Sequence, residues 1–370
     1  MTLCRHIPQL DVLRGIAVLM VMLSHVSGNV PSLRLNSVFH YGWIGVDLFF
    51  VLSGFLITGI LLRTKGQPGY FTNFYVRRIL RIWPLYLCVL AFGFLLVPIL
   101  QPQLRPTVLE QCHPWQSYLF FIQNLLVPES GKFGPLQITW SLCVEEQFYL
   151  VWPLIVLLCS PKSIVKIAVG AFLVSLGLRF ASAYNWLEID FYHNTLCRFD
   201  GLAMGSLAAI VLPRLKERTV QLHAPWIAGA AILGLVASVP LGLAKWAFPA
   251  IVSLLFLAIM CLSVAWRRFP EVRFLSFTGR ISYGLYLLHV VAYDVVRDQH
   301  FRKVLELTPI IVINDIIVAV CSLVLAYGLA WASWKVLESP VLSLKRYFQF
   351  EQDTTRTSSA SMPPLVTPAA

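Results

Sequence analysis

Long apolar runs separated by short polar connections make up most of the sequence. A helix needs about 20 mostly apolar residues to cross the hydrocarbon core of a bilayer. The runs that approach this length are 10–28, 43–62, 82–100, 146–160, 164–180, 197–213, 226–243, 247–266, 281–298 and 308–335. The pattern therefore predicts an all-α, polytopic integral membrane protein with about ten transmembrane helices.

Basic residues are concentrated at alternate connections between these runs. Arg5 precedes the first run, and the others follow the second, fourth, sixth, eighth and tenth runs: Arg63, Lys65, Arg77, Arg78, Arg81, Lys162, Lys166, Arg214, Lys216, Arg218, Arg267, Arg268, Arg273, Lys345 and Arg346. Cytoplasmic loops of membrane proteins carry an excess of Lys and Arg. The alternation therefore predicts that both termini are cytoplasmic.

Two segments do not fit this pattern. Residues 115–127 are apolar but short, and both of their flanks fall on the outer side, so we expect a re-entrant or interfacial segment. Residues 346–370 are rich in Ser, Thr and Pro and have no apolar core of their own, which is typical of a disordered tail. The predicted organisation is a transmembrane domain at 1–345 followed by a disordered tail at 346–370.

The composition favours a membrane protein and argues against other classes. Hydrophobic residues make up 58% and charged residues 13% of the chain, whereas soluble domains contain about 25% charged residues. Basic cytoplasmic loops account for the net charge of +11, so we expect no binding to nucleic acid. The eight cysteines form no C-x-x-C pair, and we expect no metal site.

The first apolar run carries two polar residues with a helical spacing. Arg14 and His25 are eleven positions apart, which is about three helical turns, so both side chains point the same way about 16 Å apart along the axis. A charge within a membrane segment is costly and often marks a functional site. Alternatively, Arg14 reaches the headgroups or pairs with Asp11, and His25 is an interfacial residue.

The predicted topology places a cluster of arginines on the inner side. It contains Arg14 together with Arg77, Arg78 and Arg81, of which Arg77 and Arg81 share one helical face. Guanidinium groups bind phosphates in a bidentate manner, so the cluster suits an anionic ligand. The alternative is that these arginines are ordinary topology signals at a cytoplasmic helix end.

An outer cluster suits acid–base chemistry. It contains His25, Asp47 near the start of the second run, and Glu145 and Glu146 at the start of the fourth. Histidine is a natural general base near neutral pH, and a carboxylate can fix its tautomer. The alternative is that the three acids only stabilise helix starts.

Further polar and small residues within the apolar runs have structural interpretations. Gly42, Gly45, Ser53 and Gly54 let the second helix pack closely or let a substrate approach its backbone, and packing is the more common reason. We expect Arg198 and Asp200 to form a structural pair. We expect His289 to be a buried histidine that is hydrogen-bonded to a neighbour rather than a second catalytic base.

The sequence resembles the acyltransferase family 3 of integral membrane acyltransferases, which includes O-acetyltransferases of bacterial surface polysaccharides. The similarity covers residues 7–340. The stretches that carry it, in the order of the family, are LDVLRGIAVLMVMLSH (10–25), GWIGVDLFFVLSGFLIT (42–58), FYVRRILRIWPLY (74–86), ITWSLCVEEQFYLVWP (138–153), CRFDGLAMGSLAA (197–209) and ISYGLYLLH (281–289).

The resemblance implies an O-acyltransferase in the bacterial inner or plasma membrane. It implies acyl-CoA as co-substrate, with acetyl as the default acyl group, and no permanently bound cofactor. The acceptor is expected to be a carbohydrate or glycolipid, and the protein is expected to contact membrane lipids.

The family motifs fall on Arg14, His25, Asp47, Arg78, Arg81, Trp140 and Glu145. We expect His25 to be the general base with Asp47 or Glu145 as its partner, and Arg14, Arg78 and Arg81 to bind the CoA phosphates. We expect Trp140 and Ser141 to contact substrate, and Ser141, Tyr149 or a backbone N–H to stabilise the oxyanion. Direct transfer and a covalent acyl-enzyme relay both fit.

A second class of function also fits the polar clusters. In a proton-coupled transporter or permease of a polar or lipid-linked solute, His25 and the outer acids would form a proton relay. The arginine cluster and the absence of inverted-repeat symmetry between the two halves favour the acyltransferase.

Overall fold

A computed structural model of the chain describes residues 7–28, 40–100, 112–126, 136–266, 272–297, 305 and 310–350. The regular structure of these residues is helical. Its principal α-helices are α1 (Pro8–Gly28), α2 (Gly45–Thr64), α3 (Tyr70–Ala91), α4 (Trp115–Leu119), α5 (Trp140–Leu158), α6 (Pro161–Ala183), α7 (Thr195–Val211), α8 (Glu217–Ser238), α9 (Ala244–Ala265), α10 (Arg273–Arg280), α11 (Ser282–Arg297), α12 (Ile311–Ser333) and α13 (Ser339–Ser343).

Two of these helices continue through π-helical turns. The turn Phe92–Leu96 extends α3 towards Leu100, and the turn Trp334–Glu338 joins α12 to α13. Single π-turns within α-helices are frequently found at functional sites.

Among the described residues, nine helical segments are long and apolar enough to cross a membrane. They match nine of the ten predicted spans, which confirms an all-α membrane protein. The remaining span, predicted at 281–298, is α11, which has 16 residues and is shorter than the roughly 20 that a crossing requires.

Two helix starts differ from the prediction because charged residues continue the helices. Helix α3 begins at Tyr70 rather than at 82, and α5 begins at Trp140 rather than at 146. Arg and Glu are good helix formers, so a helix extends past the end of its apolar run when polar side chains have a polar cavity to face. Arg78 therefore lies inside α3, and Glu145 lies more than one turn inside α5.

The segment predicted to be re-entrant or interfacial is described from Trp115 to Leu126. It forms the short helix α4 and then a 3-10 turn, Gln123–Leu125. Its backbone is bound by neighbouring helices, since the Tyr86 hydroxyl donates to the Tyr118 carbonyl at 2.9 Å. The Gln147 amide likewise donates to the Phe121 carbonyl at 2.7 Å. The segment thus packs against α3 and α5.

The predicted tail is described only over its first residues, 346–350. Phe350 is buried, and the Asn73 amide donates to the Gln349 carbonyl at 3.0 Å. Residues 351–370 lie outside the described part of the chain.

Helices α2 and α7 approach each other so closely that only glycine fits at their contact. A β-carbon built on Gly205 would lie 2.0 Å from the Val51 carbonyl oxygen, and one built on Gly54 would lie 2.1 Å from that of Leu202. The predicted packing role of Gly54 is confirmed. This contact brings the polar residues of α2 and α7 together in the centre of the protein.

Candidate functional site

A cavity of about 120 Å³ lies between α1, α2, α3, α5 and α11, and we call it the arginine cavity. Its polar lining residues are Arg14, Ser53, Arg78, Arg81, Ser141, Glu145, Tyr149, Ser282, Tyr283 and Tyr286. Side chains from five helices, far apart in the sequence, therefore meet at one small polar space inside an apolar protein.

Aromatic rings rather than carboxylates hold the two arginines of α3. The Arg78 guanidinium lies over Tyr149, 5.6 Å from the ring centroid, and the Arg81 guanidinium lies 5.9 Å from that of Tyr283. Neither arginine forms an ion pair with a carboxylate of the described residues. Ring faces stabilise a cation without occupying its N–H donors, so both guanidinium groups are suited to an anionic ligand.

Arg14 has a partner and still lines the arginine cavity. Its Nη1 lies 3.0 Å from Oδ1 of Asp11, the pairing that the sequence offered as an alternative. One third of the Arg14 side chain is exposed. Three arginines from α1 and α3 therefore border the same space.

Arg77 lies outside this group. Its guanidinium lies over the Phe350 ring, 5.7 Å from the centroid, and it does not line the arginine cavity. The sequence placed Arg77 and Arg81 on one helical face, but the face directed at the cavity carries Arg78 and Arg81. Both spacings are compatible with a shared face, and the packing of the apolar residues of α3 selects between them.

Glu145 lies with the arginines. Its Oε1 accepts a hydrogen bond from the Ser53 hydroxyl, and the Tyr149 hydroxyl donates to Ser53 Oγ at 3.3 Å. The adjacent Glu146 lines a neighbouring groove beside Trp83 and Phe120, and Arg78 and Tyr149 border both spaces. The division into inner arginines and outer acids is therefore wrong for Glu145, because α5 extends further than its apolar run and carries Glu145 to the arginine cavity.

The predicted substrate residues have different surroundings. The Ser141 hydroxyl lies 2.6 Å from that of Tyr286 in the wall of the arginine cavity. Trp140 lies behind this wall, with its ring perpendicular to that of His193 at 5.2 Å. The Arg198 guanidinium lies 5.5 Å from the centroid of the Trp140 ring.

His25 borders a second, smaller cavity of about 10 Å³ together with His289. Its Nδ1 lies 2.9 Å from the Val21 carbonyl oxygen and 3.4 Å from Nε2 of His289. His289 is buried, and its Nδ1 lies 2.8 Å from the Tyr286 carbonyl oxygen. The prediction that His289 is a buried, hydrogen-bonded histidine is confirmed.

Asp47 belongs to a buried set of ion pairs at the contact of α2, α6 and α7. Its Oδ1 accepts from Nη2 of Arg198 at 2.8 Å, and Asp200 Oδ2 lies 2.9 Å from Nη2 of Arg179. All four side chains are 0% exposed. The predicted pairing of Arg198 with Asp200 is wrong, since residues two apart on a helix point in different directions and each reaches a neighbouring helix.

Sequence reasoning did not single out several residues of these sites. The small size of Ser53 predicts close packing or close approach of a substrate but not its hydrogen bond to Glu145, and the sequence pattern does not single out Arg179, Tyr283, Tyr286 or Glu338. The spacing of Tyr283, Tyr286 and His289 at successive intervals of three on α11 is a signal that could have identified them. Glu338 is buried, ends the π-helical turn and accepts a hydrogen bond from Ser333 at 3.1 Å.

Comparison with known proteins agrees with the resemblance noted in the sequence. The acyltransferase domain model of family 3 matches residues 7–335. The chain belongs to the acyltransferase 3 family. This membership favours the acyltransferase over the transporter.

The chain is similar to curated relatives that are longer than itself. It is 26% identical over 362 residues to the O-acetyltransferase OatA of Staphylococcus aureus (strain NCTC 8325 / PS 47), a match that covers 91% of this chain and 57% of the relative. It is 28% identical over 377 residues to the peptidoglycan O-acetyltransferase OatA of Listeria monocytogenes, covering 91% and 56%. The acyltransferase thus spans little more than half the length of these relatives. No solved structure matches it with significant similarity.

Proposed function

We propose that this acyltransferase moves an acyl group, with acetyl as the default, from cytosolic acyl-CoA to a hydroxyl group of an envelope carbohydrate or glycolipid. One observation carries the proposal: Arg78 and Arg81 face the arginine cavity beside Arg14 and have no carboxylate partner among the described residues. Glu145 and Glu338 act on these guanidinium groups only from beyond ion-pair distance, so their N–H donors are open to a further anion. A polyanionic donor such as acyl-CoA would supply it.

The three arginines would bind the phosphates of the donor. Bidentate contacts between guanidinium and phosphate are strong and directional. The excess of basic residues in alternate loops supports a cytosolic position for this end of the protein, which is the side where acyl-CoA is found. The distance of about 16 Å along α1 between Arg14 and His25 supports an extended pantetheine arm that follows this helix.

The transfer itself needs a base and an oxyanion partner. His25 would take the proton of the acceptor hydroxyl while the hydroxyl oxygen attacks the thioester carbonyl carbon. The carbon–sulfur bond then breaks, and the CoA thiolate leaves and is protonated. The hydroxyls of Ser141 and Tyr149 border the arginine cavity and are candidates to stabilise the oxyanion.

Asp47 and Glu145 have different roles in this proposal. Glu145, held by Ser53 in the arginine cavity, would act on the donor side of the reaction. Asp47, paired with Arg198 at 2.8 Å, would hold α2 and α7 in place rather than contact the substrate.

The acceptor class rests on likeness alone. The Listeria relative is named for peptidoglycan, and a carbohydrate hydroxyl is the corresponding proposal for this chain. The test is mass spectrometry of envelope glycans and extracted metabolites from cells with and without the gene, with cells expressing His25→Ala as the control. A mass increase of one acyl group that needs the wild-type gene supports the proposal, and its presence with His25→Ala would remove His25 as the base.

A further inference from the structure

The contact between His25 on α1 and His289 on α11 has a consequence for the protonation of both rings. Nε2 of His289 lies 3.4 Å from Nδ1 of His25, and the ring centroids are 4.9 Å apart with an angle of 66° between the planes. The edge of one ring therefore faces the other. The significance of this contact for catalysis rests on the proposed function of His25 as general base.

Backbone carbonyl groups favour a proton on Nδ1 of both rings. Nδ1 of His289 lies 3.1 Å from the Leu285 carbonyl oxygen and 2.8 Å from that of Tyr286. Nδ1 of His25 lies 2.9 Å from the Val21 carbonyl oxygen. Since a carbonyl oxygen can only accept a hydrogen bond, Nδ1 carries a proton in each ring.

The same geometry determines the state of His289 Nε2. This nitrogen faces Nδ1 of His25, which already carries a proton, and two N–H groups cannot form a hydrogen bond with each other. His289 Nε2 therefore presents its lone pair. His289 is neutral, with its proton on Nδ1, and it accepts from His25.

We propose that His289 is a positioning residue that holds the proton of His25 on Nδ1 and so keeps the lone pair of His25 on Nε2. Nε2 is then the nitrogen that takes the proton of the acceptor hydroxyl. In many enzymes a carboxylate fixes the tautomer of a catalytic histidine in this way. Here a buried neutral imidazole performs this task, assisted by the Val21 carbonyl.

The helix that carries His289 also borders the arginine cavity. Tyr286 lies one turn before His289 on α11, and its hydroxyl lies 2.6 Å from that of Ser141 in the cavity wall. Helix α11 therefore contacts both the arginine cavity and the proposed base. A shift of α11 would change the geometry of both together.

The proposal is tested with two variants of the full-length purified protein and a matched control. His289→Gln can present an amide oxygen near the position of Nε2, whereas His289→Leu presents no acceptor. The control is His223→Gln, because His223 on α8 has the same hydrogen bond to the carbonyl four residues before it, at 2.9 Å, but is exposed. The readouts are kcat and KM for acetyl-CoA, and the ¹⁵N chemical shifts of His25, which distinguish the two tautomers.

We expect wild type and His289→Gln to hold His25 with its proton on Nδ1, and His289→Leu to show a mixture of tautomers. Partners that orient a metal-binding histidine contribute about 10- to 100-fold to affinity or activity, and we expect an effect at the lower end of this range for a catalytic histidine. His289→Leu should therefore lower kcat about tenfold with KM unchanged, His289→Gln should restore most of the loss, and His223→Gln should behave as wild type.

Two results would overturn the proposal. One is a wild-type His25 with its proton on Nε2, and the other is a folded His289→Leu protein with unchanged kcat. Activity of His25→Ala is a separate result: it would remove the proposed base and with it the catalytic role of His289, while the ¹⁵N shifts still decide the tautomer.

Discussion

Two groups of charged side chains lie within the helical bundle, and they differ in how their charges are balanced. The buried quartet of Asp47, Arg179, Arg198 and Asp200 is 0% exposed and forms two ion pairs between helices. In the arginine cavity, Arg78 and Arg81 lie on aromatic rings and have no carboxylate partner among the described residues. The quartet pairs each charge with an opposite one, although polar atoms such as Asp47 Oδ2 accept no hydrogen bond from the described residues. The two arginines of α3 have no such ion pair.

This difference separates structural charges from charges that await a ligand. Burying an ion costs several kcal/mol, and a nearby opposite charge offsets part of that cost. The quartet has such partners and joins α2, α6 and α7. The arginines of α3 have no carboxylate within ion-pair distance among the described residues, so they are the better candidates for the proposed donor binding.

The largest effect is expected in the quartet. Arg198→Met leaves the Asp47 carboxylate buried without its partner, which costs about 3–5 kcal/mol. Since proteins are stable by only about 5–15 kcal/mol, little folded protein should accumulate. The measurement is the yield of monodisperse protein from membranes and its thermal unfolding in detergent.

The double variant Asp47→Leu with Arg198→Met is the matched control. It removes both charges and fills the space with apolar groups, which is often neutral for stability, so the yield should recover. A folded but inactive Arg198→Met protein would contradict a purely structural role for the quartet and would indicate that Asp47 takes part in catalysis.

The second prediction concerns the arginine cavity. Arg78→Gln removes a cation that has no carboxylate partner in the described chain, so the protein should fold with wild-type yield. Loss of a charge-assisted hydrogen bond of about 1.5–3 kcal/mol should raise KM for acyl-CoA by about 10- to 100-fold. Binding of acyl-CoA to the purified protein and initial rates measure this effect.

Arg77→Gln controls for the removal of positive charge at the same turn of α3. Arg77 lies over Phe350 rather than in the arginine cavity, so KM should be unchanged. An equal rise of KM in both variants would mean that general attraction by the basic surface, and not a specific contact, binds the donor.

The sequence predicts the positions of the helices better than it predicts which helices and side chains contact each other. Apolar runs locate nine spans because burial in a membrane requires such runs at each crossing. The starts of α3 and α5 were missed because Arg78 and Glu145 continue a helix without being apolar. The helical spacing predicts that Arg14 and His25 share a face of α1, whereas in the structure they border two different cavities.

Hydrophobic periodicity does not predict which distant segments of the chain contact each other. Asp47 and Arg198 are 151 residues apart, and His25 and His289 are 264 apart. Periodicity identifies the face of each helix but not the helix that packs against it. For this reason Asp200 was assigned to Arg198, its neighbour in sequence, instead of to Arg179.

The third prediction tests whether Glu145 acts with the arginines. Glu145→Gln keeps an oxygen that can accept from Ser53 but removes the negative charge from the arginine cavity. We expect kcat to fall about tenfold, which corresponds to about 1.4 kcal/mol in the barrier, with normal yield. Unchanged kcat, measured at saturating acyl-CoA, would leave Glu145 with a packing role only.

The smallest effect is expected for an ion pair outside the helices. His193 Nδ1 lies 2.6 Å from Oδ2 of Asp190, and the Asp190 side chain is 27% exposed. Partial burial raises the pKa of this carboxyl, but the hydrogen bonds from the His193 ring and from the backbone N–H groups of Tyr192 and His193 lower it by more, so the pKa lies below its usual value. Pairs that water reaches contribute only about 0–1 kcal/mol, so Asp190→Asn should lower the melting temperature in detergent only slightly.

The stability difference between wild type and Asp190→Asn should depend on pH. A carboxyl whose pKa is lower in the folded state stabilises the protein above its unfolded pKa of about 4, and this contribution is lost as the pH falls through the folded value. The difference between wild type and Asp190→Asn should therefore persist at neutral pH and disappear below about pH 4. Glu188→Gln, an exposed neighbour, should show no such difference. A loss as large as that of Arg198→Met would show that solvent access does not separate the two kinds of pair.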